Sequence, residues 1–204
     1  MAILNLKKRQ IECKIVYYGP GRCGKTTNME YIYKTFTKQV KGEMVSIDTE
    51  GDRTLFFDFL PMGLGEIKGF DVSVQVYTVP GQVQYRSTRK LVLKGVDGVI
   101  FVADSLAVRR EKNMLSLKDL QYNLKEYGIS IFKIPLVIQH NKRDLVGETL
   151  PIMSLEQMEK DLNRQLKVPS FPASAITGQG VGSTLKECLK LTLLALKKEM
   201  KLES

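Results

Sequence analysis

Short apolar runs alternate with longer stretches of helical spacing along almost the whole chain. Residues 11–18 (IECKIVYY) are rich in β-branched and aromatic side chains and predict a first strand. A helix is expected soon after, running to about residue 36. Residues 37–53 (TKQVKGEMVSIDTEGDR) are polar and lack a period, the pattern of a loop. Residues 54–60 predict a second strand and the turn-rich 61–69 a connection. In 71–79, Val72, Val74 and Val76 alternate onto one face of a third strand. The connection is too short for a crossover helix, so these two strands are expected to pair antiparallel as a hairpin. A short helix falls between 80 and 94. Residues 96–103 and 135–140 are nearly continuous apolar runs, as expected for strands covered on both faces. Leu117, Leu120, Leu124 and Tyr127 give 110–127 a helical period. Ser154, with Gln157 at the third position after it, is placed to cap a helix over 154–166. A short last strand over 170–174 precedes a helix over 180–199, lined by Leu185, Leu189, Leu193 and Leu196.

This alternation predicts an α/β fold in three layers: a mostly parallel sheet of six strands, one of them antiparallel, with helices on both faces. A chain of 204 residues with no internal repeat or linker is expected to form one domain, its core spanning about 10–199.

The first candidate chemistry lies directly after the first strand. Gly19-Pro20-Gly21-Arg22-Cys23-Gly24-Lys25-Thr26 fits the phosphate-loop pattern, and the helix that follows supplies the required strand–loop–helix context. Gly19, Gly21 and Gly24 let backbone N–H groups wrap a polyphosphate. The helix start at Lys25 turns its positive dipole end to the same anion. Lys25 can reach the β- and γ-phosphates, and the Thr26 hydroxyl can hold Mg²⁺, with Thr27 beside it among the nucleotide-binding residues. By this placement the ligand lies at the carboxyl ends of the strands.

Composition removes other classes. Cys13, Cys23 and Cys188 are widely spaced and form no CxxC pair, which argues against a zinc site or disulfide framework and suits a reducing cytosol. No apolar run approaches the ~18 residues of a membrane span, so no integral membrane segment is expected. The first residues are too short in their apolar part for a signal peptide. The net charge is +9, but the basic residues are scattered and no RNP-like aromatic set accompanies them. A nucleic-acid partner is therefore not expected. A solvated basic surface, or a weak contact with an acidic partner or membrane, accounts for the charge.

Asn141-Lys142-Arg143-Asp144 follows the 135–140 strand and matches the N-K-x-D arrangement with which small GTPases read guanine. The Asp144 carboxylate is expected to accept from the ring N1–H and the 2-amino group, donors that adenine lacks at those places. Ser174-Ala175-Ile176 then stands where such proteins carry an S-A-K loop whose backbone meets the guanine oxygen. Ile176 in place of Lys keeps the backbone role and puts side-chain stacking on the base edge in doubt.

With these three motifs in order, the chain resembles the Ras-like small GTPases over nearly its whole length. Thr78-Val79-Pro80-Gly81-Gln82, Tyr17-Tyr18-Gly19-Pro20-Gly21 and Thr54-Leu55-Phe56-Phe57-Asp58-Phe59 are similar in spelling to the bacterial MglA group, from about residue 10 to 195. That resemblance implies a cytoplasmic GTP/GDP switch of cell polarity and gliding or twitching motility, recruited to cell poles by partners. It implies a Roadblock-domain, MglB-like activating homodimer, further polarity or motility effectors, and a register shift of the second strand between states. It also implies roles. Gly81 senses the γ-phosphate and Gln82 orients the attacking water. Thr54, with Thr49 as a competitor, senses Mg²⁺ and the γ-phosphate. Arg53 acts as an arginine finger in cis, against the alternative of a solvated loop arginine. Thr78 replaces the family's Mg²⁺-linked Asp, and Asp58 on the neighbouring strand could supply that charge; the alternative is an exposed hairpin carboxylate. His140 is expected to be structural. Two other readings stay open: an ATP-using phosphate-loop kinase or ATPase, and a module that holds GTP without turning it over.

Overall fold

The computed structural model describes residues 3–5, 8–47, 57–67, 69–81, 85–147 and 149–202. Arg53, Thr54, Thr49 and Gln82 lie outside the described residues. The strands are β1 (Ile3–Asn5), β2 (Gln10–Tyr18), β3 (Val45–Ile47), β4 (Phe57–Ile67), β5 (Phe70–Thr78), β6 (Gly98–Asp104), β7 (Leu136–Asn141) and β8 (Ser170–Pro172). The helices are α1 (Lys25–Thr35), α2 (Arg86–Leu93), α3 (Arg110–Lys125), α4 (Leu155–Leu162) and α5 (Val181–Leu202).

One sheet has the order β3-β4-β5-β2-β6-β7-β8. β2, β5, β6, β7 and β8 run parallel, and β4 is antiparallel to β5. This is the mostly parallel six-stranded sheet with its antiparallel member. Two short strands extend it: β1 pairs antiparallel with β2, and β3 with β4.

Alternation along β2 splits the core in two. Val16 and Tyr18 face a cluster with Phe101, Leu120, Leu124 and Met158, built by α2, α3 and α4. Cys13, Ile15 and Tyr17 face a cluster with Met29, Ile32, Val102 and Leu185, built by α1 and α5. All seven residues of β6 are buried, as a strand covered on both faces requires.

Two expectations change, one for the second strand and one for the stretch before it. It runs through 61–67, where a turn was expected, and pairs with β5 as far as Ile67↔Phe70. Pro61 is tolerated because its carbonyl faces away from β5 and accepts from Lys41 N–H at 3.0 Å. In an antiparallel strand a residue's N–H and C=O point the same way, so proline's missing donor costs the β4–β5 ladder nothing. The glycines that signalled a turn instead make a bulge, where the register shifts between Gly63 and Gly65 and Gly65 takes φ 81°. Part of 37–53 is also ordered, with a Val40↔Met62 bridge and β3 on the outer edge of β4. Val45 and Ile47 carried that signal, diluted by the charges around them.

Candidate functional site

β2, β6, β7 and β8 all end at one edge of the sheet, and the loops leaving them assemble the site. Gly24 caps α1 in the left-handed region, φ 99°, where a Cβ would stand 2.3 Å from Asn141 Nδ2. That approach is used. Asn141 Nδ2 donates to the Cys23 carbonyl at 2.7 Å, and its Oδ1 accepts from Ala175 N–H at 2.8 Å. One side chain thus ties the phosphate loop, the N-K-x-D turn and the Ser174-Ala175-Ile176 loop together. Asn141, expected at the nucleotide, is also the joint between three loops.

Asp144 lies in the turn after β7, half-buried and without a hydrogen bond or ion pair among the described residues. The turn is anchored through Arg143, whose N–H donates to the Ala173 carbonyl at 2.9 Å and whose Nη1 donates to the Met153 carbonyl at 2.7 Å. Ser174 and Ala175 are buried, whereas Ile176 is 76% exposed.

At the phosphate end, Lys25 is buried and its ammonium donates to the carbonyls of Gly19 at 3.0 Å and Pro20 at 2.8 Å. Thr27 is half-buried in the first turn of α1. Gly81 lies against the loop so closely that a Cβ on it would stand 2.2 Å from Gly21 N. The backbone at Gly81, where the second switch of such GTPases is expected to begin, is therefore in contact with the phosphate loop.

Asp58 is 2% exposed, not a solvated hairpin carboxylate. Its Oδ2 accepts from the Thr26 hydroxyl and from the Thr78 hydroxyl, each at 2.7 Å, and Asp58 N–H donates back to Thr78 Oγ1 at 3.0 Å. The sequence put a neutral threonine where the family places an acid. The fold brings the acid from the neighbouring strand and uses Thr78 to hold it. These are hard oxygen donors only, the chemistry that suits Mg²⁺. Replacing Asp58 with Ala is expected to weaken Mg²⁺-dependent nucleotide binding about 10- to 100-fold, the scale of a hydrogen bond to a charged group. Titrating nucleotide release against free Mg²⁺ checks this; an unchanged Mg²⁺ dependence assigns Asp58 to structure alone.

His140 is buried on β7, 2.6 Å from Glu159 through Nε2. Burial lowers its pKa against the opposing pull of Glu159, so it stays neutral near pH 7. Its contact with Glu159 joins β7 to α4. Sequence reasoning missed Asp104 and Arg109. Asp104 ends β6 with no exposed surface, and Arg109 donates to the Gly21 carbonyl. An acid closing an otherwise apolar strand was the available signal.

The model of the ADP-ribosylation factor family matches residues 1–192. "Mutual gliding-motility protein MglA" of Myxococcus xanthus is 55% identical over 198 residues, covering 97% of this chain and 99% of that protein. The chain belongs to the ADP-ribosylation factor family and to its MglA group. "ADP-ribosylation factor-like protein 2" of Arabidopsis thaliana is 26% identical over 185 residues, covering 88% of this chain and 86% of that protein. As a family member the chain is a GTP-binding switch, and membership carries the capacity for GTP hydrolysis. No helix among the described residues is long and apolar enough to cross a membrane.

Proposed function

We propose that this chain hydrolyses GTP slowly by itself and faster with an activating partner, and that its two nucleotide states regulate cell polarity and surface motility. One observation carries the reading of the site. Asn141 joins the phosphate loop to the guanine-reading loops, and the Asp144 carboxylate in the same turn has no hydrogen bond or ion pair among the described residues. This arrangement supports a guanine nucleotide held by backbone amides at its tail and by one acid at its ring.

In this reading Lys25 leaves the Gly19 and Pro20 carbonyls for the β- and γ-phosphates, Arg53 neutralises charge on the transferring phosphoryl, and Gln82 orients the water. Gly81 must lift from Gly21 for its N–H to meet the γ-phosphate, which turns the presence of that phosphate into a movement of the second switch. Thr26 and Thr54, with Asp58 and Thr78 behind Thr26, would hold Mg²⁺. When bound, the ion spreads the negative charge of the β- and γ-phosphates. Ser174, Ala175 and Ile176 present backbone to the base edge.

The polarity and motility role rests on likeness to the Myxococcus xanthus protein, whose name states gliding motility. The same likeness supports an MglB-like Roadblock-domain homodimer as activator, acting by placing Arg53 and Gln82, and recruitment to cell poles from the cytoplasm.

Thermal unfolding with GDP and with ADP tests the site. GDP at about a thousand times its Kd is expected to stabilise by about 4 kcal/mol, raising the midpoint by about 8–16 °C for a chain of this size, with ADP giving almost no shift. A larger shift with ADP would return the phosphate-loop kinase or ATPase reading.

A further inference from the structure

Asp104 sits at the end of β6 with every polar atom engaged. Its N–H donates to Asn113 Oδ1 at 2.9 Å, and its carbonyl accepts from Asn113 Nδ2 at 2.8 Å. Oδ1 accepts from Leu106 N–H at 3.1 Å. Oδ2 accepts from Lys142 Nζ at 2.7 Å, and Arg109 Nε stands 3.5 Å from the same oxygen. A fully buried carboxylate is costly unless cations and donors surround it, and here both kinds do.

The two cations belong to opposite ends of the site. Lys142 lies in the guanine-reading turn and takes φ 70°, a left-handed conformation that a residue with a side chain keeps only when its surroundings hold it. The Asp104 contact is placed to hold it. Arg109 uses a second nitrogen, Nη2, to donate to the carbonyl of Gly21 in the phosphate loop. A continuous set of charged contacts therefore runs from the base end, through a fixed carboxylate, to the loop residue against which Gly81 rests.

We propose that Asp104 and Arg109 form a brace that sets the Gly21 carbonyl relative to the guanine-reading turn, making Arg109 a positioning residue for the part of the phosphate loop beside the γ-phosphate. The proposal rests on reading the site as a GTP site. The guanidinium suits the role because its rigid fork serves a carboxylate and a carbonyl at once, which a lysine ammonium on a flexible stem does less well. With Arg109 removed, Lys142 still faces Asp104, so the carboxylate keeps one cation and the fold keeps its core.

The test uses the full chain as wild type, Arg109→Ala and Arg109→Lys. Dissociation of fluorescent GDP and of a fluorescent non-hydrolysable GTP analogue is followed, with thermal unfolding in saturating GDP measured alongside. Arg109→Ala is expected to speed release of the analogue about tenfold more than release of GDP, the scale of one charge-assisted hydrogen bond. Arg109→Lys is expected to fall between the two. Should Arg109→Ala not fold, Arg109→Lys carries the same comparison at smaller size. Equal acceleration for both nucleotides, or a lower unfolding temperature with unchanged release of both, overturns the brace alone. A wild-type protein that prefers ADP to GDP overturns the brace together with the reading beneath it.

Discussion

Replacing Asp144 with Ala is expected to abolish the preference for guanine and to lower GDP affinity by ~10⁴-fold, because a site built on hydrogen bonds to a base loses that much when the matching group is absent. The geometry makes the substitution a clean one. The turn is anchored through Arg143, to Ala173 and to Met153, and the Asp144 carboxylate has no partner among the described residues. No hydrogen bond or ion pair among the described residues depends on it, so the protein should unfold at about the same temperature without nucleotide while losing the shift that GDP gives. Competition of GDP and ADP against fluorescent GDP checks the prediction. A variant that still selects GDP would move base recognition to the Ser174-Ala175 backbone.

The second large effect falls on hydrolysis. Arg53→Ala is expected to keep GTP affinity and to lower activator-stimulated turnover by ~10³-fold or more, the lower end of what an arginine fixed against the transferring phosphoryl supplies. Its place in the sequence is compatible with this: Arg53 lies shortly before Asp58, which β4 delivers to the Thr26 hydroxyl. Phosphate release measured with and without the proposed Roadblock-domain activator separates the cases. Unchanged stimulated turnover returns Arg53 to the role of a solvated loop residue.

The order of strands and helices was legible because each buried element had the period its environment requires. β6 and β7 show it most clearly: strands covered on both faces read as nearly continuous apolar runs. The Ser154 cap was legible for a similar local reason, its hydroxyl accepting from Gln157 N–H at 3.1 Å. The Gln157 side chain turns to Asp161 instead, at 2.8 Å, so the capping box closes on one side only. β4 was misjudged because Pro61, Gly63 and Gly65 are turn residues by local chemistry. Only the neighbouring β5 and the 39–41 backbone, which satisfy that strand from both sides, make it extend.

The same division runs through the site. The phosphate loop and the N-K-x-D turn are contiguous in sequence and depend on local backbone geometry, so residue type and spacing were enough to find them. Asp58, Asp104 and Arg109 act across long separations. Asp58 reaches Thr26 because β5 inserts between β2 and β4, and Arg109 reaches Gly21 because β6 lies beside β2. A sequence read along its length carries periods, turns and motifs, and by themselves those determined the layered fold and the class of ligand. Which carboxylate stands behind Thr26, and which cations join the phosphate loop to the N-K-x-D turn, were decided by the tertiary structure, since only packing brings charges so distant in the chain within hydrogen-bond reach.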